Sequence, residues 1–222
     1  MDFMNLLKSI EELLYEFVSW LLFYPLTFCK CVRRPIKMMA YAESEIGSEA
    51  KTRYAAAISP PIFLFLTLVI AHLIELRFGL PTAELKGVLA DQRNLLLFRA
   101  VLFSLFPLMM AVQRIRLLDQ PLTRETLRPA FYSQCYVAAP FVLSFDLAMV
   151  GVRYSTPATW IVSGSLLSIG LIWYVSVETR WFALHTGVGH GAALIRVIAT
   201  VLAGALFFIL IALATASFIA TL

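Results

Sequence analysis

Charge is scarce in this chain. Asp, Glu, Lys and Arg make up 14% of its 222 residues, hydrophobic residues make up 60%, and mean hydropathy is +0.82. A water-soluble domain carries about 25% charged residues, so that class is excluded at the outset. Cysteine is scarce too. Cys29, Cys31 and Cys135 cannot build a disulfide framework, and Cys29-Lys-Cys31 is too tight for zinc and has no second pair. They read as small residues, with reversible lipidation of a juxtamembrane cysteine as the sharper alternative. No HExxH, GxSxG or GxxxxGK[ST] pattern occurs, so no enzyme, metal or cofactor is expected. His185 and His190, five apart among glycines, lack a third ligand and read as loop or capping residues. A basic leader is missing as well. Asp2, Glu11, Glu12 and Glu16 stand where a cleavable signal would carry positive charge, so none is expected.

Long apolar runs fill the space that charge leaves. Five stretches reach the roughly 20 residues needed to cross a bilayer: about 59–78, 94–113, 130–152, 158–178 and 194–221. The fold class read here is all-α, a polytopic membrane protein of five transmembrane helices plus an N-terminal interfacial amphipathic helix. Residues 1–58 form the amphipathic helix, basic segment and linker, and residues 59–222 form the five-span bundle. Pro107 and Pro140 fall inside spans two and three and are expected to kink them. Span four carries Ser163, Gly164, Ser165, Ser168 and Gly170, small residues that let helix backbones approach closely.

The positive charges are unevenly shared. Of 18 Lys and Arg, seven precede the first span (Lys8, Lys30, Arg33, Arg34, Lys37, Lys51, Arg53). Arg114, Arg116, Arg124, Arg128, Arg180 and Arg196 join them, which makes 13 on one side. Arg77, Lys86, Arg93, Arg99 and Arg153 make five on the other. This bias puts the N-terminus in the cytoplasm and the C-terminus outside. It also accounts for the basic balance without a nucleic-acid partner. Compact loops favour a bacterial inner membrane.

Residues 3–24 have Leu6, Leu7, Ile10, Leu13, Leu14, Phe17, Val18, Leu21 and Leu22 at three- and four-residue spacing, with Lys8, Glu12, Glu16 and Ser19 mainly opposite. Such a helix lies in the membrane interface. Trp20, Phe23, Tyr24 and Phe28 would then sit at headgroup depth. Lys30, Arg33, Arg34 and Lys37 follow as candidate contacts for anionic lipid or a partner. The simpler reading is that they only enforce topology. Residues 40–57 read as a linker or short helix.

LSFDLAMV, residues 143–150, has a carboxylate in the middle of an apolar run. Asp146 lies about 9 Å below the outer end of span three at 1.5 Å per residue. Arg99 of span two and His72 and Glu75 of span one fall at nearly the same depth, with Ser163 and Ser165 of span four. A lone charge in hydrocarbon costs on the order of 2.5–3.5 kcal/mol, so partners are expected. One reading is an Asp146–Arg99 ion pair that fixes helix register, with His72 and Glu75 reaching headgroups or outer water. The other is a hydrated outward pocket whose His72, Glu75, Arg99 and Asp146 bind or relay a cation.

Two stretches carry a family resemblance. SQCYVAAPFVLS at 133–144 is similar to the third span of the Yip domain family, the Rab/Ypt-interacting membrane proteins and their bacterial relatives, in which a tyrosine precedes a proline by four residues, here Tyr136 and Pro140. WYVSVETRWFALHTGVGHGAALIRVIATVL at 173–202 resembles that family's connection between spans four and five. The resemblance covers roughly residues 59–222. It implies a five-span fold and a non-enzymatic membrane role. Rab binding is not carried over, because the Asp-Leu-x-Gly-Pro motif of eukaryotic members is absent.

Two functions follow. The first is a Yip-like protein that organises the membrane or binds a partner at the cytoplasmic face. The second is a small channel or permease with an outer vestibule. No inverted repeat is visible, so a transport pathway would need a homo-oligomer.

Overall fold

A computed structural model describes residues 3–47, 54–78, 91–154 and 156–220. Seven helices and no strand occur among them: α1 (Phe3–Arg33), α2 (Pro35–Ile46), α3 (Pro60–Arg77), α4 (Gln92–Leu117), α5 (Arg124–Arg153), α6 (Pro157–Thr186) and α7 (His190–Ala220). Five of these, α3 to α7, are long and apolar enough to cross a membrane. This architecture is compatible with an integral membrane protein.

Several helices outrun the hydropathy that located them. α4 continues to Leu117, α5 begins at Arg124 and α6 ends at Thr186, so Arg114, Arg116, Arg124, Arg128 and Arg180 are all helical. Arginine ends an apolar window but is a good helix former, so the helix runs on past the boundary that hydropathy marks. α4 and α5 also pass through Pro107 and Pro140 without a break. α1 likewise continues through Pro25 and the basic segment to Arg33, nine residues past the amphipathic stretch expected to end at 24.

Local chemistry fixes the turns. Thr123 and Thr156 accept from the backbone N–H of Thr126 and Thr159, each forming a capping box, and Pro157 follows Thr156 at the first helical position. α6 closes at Gly187 in the left-handed conformation, φ +70°, which glycine adopts without steric cost.

α5 is the central helix. It packs against α6, α3, α4, α2 and α1, while α7 packs on α6 and α4. Every residue from Ser133 to Val142 is buried, so α5 is enclosed all round at this level. The chain ends gather at two poles. The α2 end holds the last turns of α1, α2 itself, the starts of α3, α5 and α7, and the ends of α4 and α6. The hairpin end holds the end of α3, the start of α4 and the α5–α6 turn.

The segment before α3 is pinned to two helices at once. Tyr136 of α5 donates through its hydroxyl to the carbonyl of Ile58 at 2.7 Å, and the Ile58 amide donates to Thr27 Oγ1 of α1 at 3.2 Å. Tyr24 donates to Thr67 Oγ1 at 3.1 Å, which ties α1 to α3 directly.

α5 and α6 approach most closely where one of the facing residues lacks a side chain. Gly170 lies opposite Ser144, and Gly151 opposite Ser163. A Cβ on Gly170 would sit 2.7 Å from Ser144 Cβ, an atom fixed to the backbone, so relief requires the helices to part. Gly170→Ala is therefore expected to destabilise the bundle by about 1–3 kcal/mol, the usual range for overpacking. Gly164→Ala, where nothing lies within 4 Å, should be neutral. Thermal unfolding of the two variants in detergent checks the contrast.

Candidate functional site

Near the hairpin end, α3, α4 and α5 bring four charged side chains together. Arg99 of α4 reaches in two directions. Its Nη1 donates to Glu75 Oε2 of α3 at 2.7 Å, and its Nη2 to Asp146 Oδ1 of α5 at 2.7 Å. Arg153, two helical turns beyond Asp146, donates to the other oxygen of Glu75. Two carboxylates and two guanidiniums thus form a neutral chain, Asp146–Arg99–Glu75–Arg153, that links three helices.

The enclosure of this chain decides its energetics. Glu75 and Asp146 are buried, and the Arg99 side chain is 16% exposed, whereas that of Arg153 is 40% exposed. Water thus has its main access at one end of the chain only. Inside, the attraction between opposite charges offsets their desolvation only when geometry is good, which the two 2.7 Å contacts provide. Charge-assisted contacts of this length are the stronger class of hydrogen bond.

The structure brings Asp146 and Arg99 together as the sequence reading expects of an ion pair. It corrects the rest of that reading. Glu75 does not reach headgroups or outer water but turns inward as the second carboxylate of Arg99. His72 is also buried and packs within the bundle, with no hydrogen-bond partner on Nδ1. Ser163 points to Gly151, and Ser165 is exposed on the opposite side of α6, so neither joins the cluster. Arg153 was missed because it reads as a loop charge. Its spacing of seven from Asp146 on one helix was the available signal.

The N-terminal candidates divide. Arg33, Arg34 and Lys37 are exposed. Lys30 is also exposed, but its Nζ donates to the Ala56 carbonyl at 2.8 Å and so holds the linker. Trp20 is half-buried and packs with Phe23, Tyr24 and Phe28 against the core, rather than lying free at headgroup depth. Tyr24 and Phe63, for example, have ring centroids 5.3 Å apart. The first two-thirds of α1 differ sharply from this. Leu7, Ile10, Leu13, Leu14, Phe17, Val18, Leu21 and Leu22 are all exposed. Of the cysteines on α1, Cys31 is buried, and burial pushes its thiol pKa well up, which removes it as a lipidation candidate; Cys29 is exposed.

His185 and His190 do not come together as a site. His185 stacks on Trp181 with ring centroids 3.7 Å apart, and its Nδ1 lies 3.0 Å from the Trp181 carbonyl, while His190 is exposed at the start of α7. Among the described residues no three His, Cys, Asp or Glu side chains are grouped to hold a metal ion.

No family model matches this chain, and no curated protein or solved structure does either.

The shared guanidinium predicts an order of effects. Arg99→Met strands two buried carboxylates with only Arg153 for both, and should cost about 3–5 kcal/mol. Asp146→Leu should cost less, because Arg99 keeps Glu75. Arg99→Met with Asp146→Leu should recover most of the loss, since Glu75 and Arg153 still balance. Thermal midpoints of the three variants in detergent give the comparison. A double variant that loses the sum of the two single losses would mean that the charges do not interact.

Proposed function

We propose that this is a non-enzymatic integral membrane protein of Yip-like organisation, acting at the cytoplasmic face by organising the membrane there. Its working element is α1 with the basic segment behind it. The observation that carries this reading is the bare arm. The apolar residues between Leu7 and Leu22 are exposed except Trp20, which with Phe23, Tyr24 and Phe28 packs on the core. A helix of 31 residues is about 46 Å long, so the uncovered part is long enough to lie along a leaflet. Arg33, Arg34 and Lys37, exposed just beyond, suit anionic headgroups at about 1 kcal/mol per charge.

The positive-charge bias supports a cytoplasmic arm, in a bacterial inner membrane by preference. The vestibule reading has less in its favour. Three of its four residues, Glu75, Arg99 and Asp146, pair with one another, and Arg99 lies across the two carboxylates that a cation would need. The Arg99 network is accordingly internal structure, and the function lies at the other pole.

Two measurements on the full chain in liposomes test this. An environment-sensitive fluorophore on Leu14→Cys, in a Cys29→Ser background, should report apolar surroundings and be quenched by lipid-borne quenchers. The quenching should strengthen with anionic lipid, and Arg33→Glu with Arg34→Glu should remove that lipid dependence, a shift of about 2 kcal/mol. A probe in water with both lipid compositions would refute the proposal. Ion and proton flux should stay at the level of protein-free liposomes. Flux that Asp146→Asn abolishes in a folded protein would instead favour the channel.

A further inference from the structure

The α2 end holds a second polar layer, which ion pairing does not close. Glu178 of α6, Gln134 of α5 and Tyr174, one turn before Glu178, are fully buried. The Gln134 amide is within interaction range of the Glu178 carboxylate, but neither it, the two carboxylate oxygens nor the Tyr174 hydroxyl makes a hydrogen bond of good geometry. The three share one neighbourhood: Gln134 lies beside the Glu178 carboxylate, which in turn acts on Tyr174. Buried polar atoms are nearly always partnered, so a group of five that are not calls for an explanation.

The cation that acts on Glu178 is Arg114 of α4, and it is engaged elsewhere. Both its terminal nitrogens donate to Glu43 of α2, with Nη2–Oε2 at 3.2 Å. Its guanidinium lies over the Trp181 ring, 5.1 Å from the centroid, and its buried Nε has no acceptor. Glu43 and Glu178 are therefore rivals for one guanidinium. At the hairpin end, by contrast, Arg99 pairs with two carboxylates at once, although Asp146 Oδ2 has no partner. Other neighbours at this end also keep buried polar atoms without partners, Arg196 Nη1 and Gln113 Oε1 among them. α5 adds the buried Cys135 thiol near Tyr174, and α7 brings Arg196, whose backbone carbonyl accepts from Gln113 of α4.

A way in from water exists. Glu43 and Arg114 line a cleft of about 270 Å³ at the start of α5, together with Gln120, Glu125 and Thr126. The Glu43 side chain is 24% exposed there. Glu178 does not line the cleft, but Arg114, which does, acts on its carboxylate.

We infer that Glu178, supported by Gln134 and Tyr174, is a proton-binding site reached through this cleft. The carboxyl holds a proton while Arg114 stays with Glu43. When the guanidinium turns to Glu178, the O–H bond breaks and the proton leaves to water in the cleft. A proton suits the surroundings better than a metal ion does. One carboxylate beside a guanidinium offers a cation no net negative charge, and no metal-holding cluster occurs among the described residues. A protonated carboxyl needs no added space, and it can donate to Gln134 Oε1 while accepting from Tyr174. The site involves neither α1 nor the Arg99 network, so it stands apart from the proposed function.

Infrared difference spectroscopy of the full chain in nanodiscs, between neutral and alkaline pH, reads the site directly. The expected result is a protonated-carboxyl band at neutral pH that disappears on alkalinisation. Glu178→Gln should abolish the band and remain folded, because the amide has the shape of the neutral acid. Glu75→Gln and Asp146→Asn should leave it in place. If Glu178→Gln does not fold, the Glu75→Gln variant labelled with carboxyl-13C glutamate serves instead, and the band must shift. No band at neutral pH, a band that survives Glu178→Gln, or a band that glutamate labelling does not move overturns the assignment.

Discussion

The enclosure of α5 is the constraint on which the rest of the structure depends. The middle turns of a helix packed against α1, α2, α3, α4 and α6 have little access to lipid headgroups or water, so the polar groups there depend on neighbours. Tyr136 meets the backbone of Ile58 and thereby fixes where α3 begins. Asp146 meets Arg99 and thereby fixes the register of α4. Ser144 and Gly151 face Gly170 and Ser163 and set the spacing to α6. The apolar contacts supply most of the burial but are tolerant of sliding. The polar ones allow a single arrangement.

The two polar layers of the bundle illustrate opposite solutions to the same cost. Near the hairpin end the charges balance, and Arg99 holds a carboxylate on each side. At the α2 end one guanidinium is contested by carboxylates on different helices, one facing a cleft and one fully buried. A closed network gains stability from its completeness.

Much of the architecture was legible in the sequence because hydropathy over 20 residues averages away local noise. The five long apolar helices and the shared depth of Arg99 and Asp146 follow from counting along α-helices. Glu75 shows where counting stops. Depth is set by residue number, but the direction a side chain faces depends on which helices become neighbours, and nothing in the apolar periodicity of α3 distinguishes inward from outward. Arg153 was assigned to a loop by its position at a span boundary, yet the helix continues to include it. Glu178 was overlooked for a related reason. It sits at the edge of the fourth apolar stretch beside Arg180, where a charge reads as a boundary marker. Only the packing of α2 over that end of α5 and α6 makes it an interior residue.

The helices also differ in length, and this bears on the kind of bilayer the bundle fits. α3, with 18 residues, is about 27 Å long, while α5 and α6, with 30 residues each, are about 45 Å long. A hydrocarbon layer near 30 Å already exceeds α3, whereas the longer helices adjust to thickness by tilting. α3 has no such latitude. It begins at a proline tied through Ile58 to α1 and α5, and it ends at Arg77, two residues past the buried Glu75. The shortest of the five long apolar helices is thus held at both ends, and it acts as the gauge of the molecule. Thin bilayers accommodate it without distortion. Thicker ones must thin locally around α3, so mixed membranes would sort this protein toward their thinner regions.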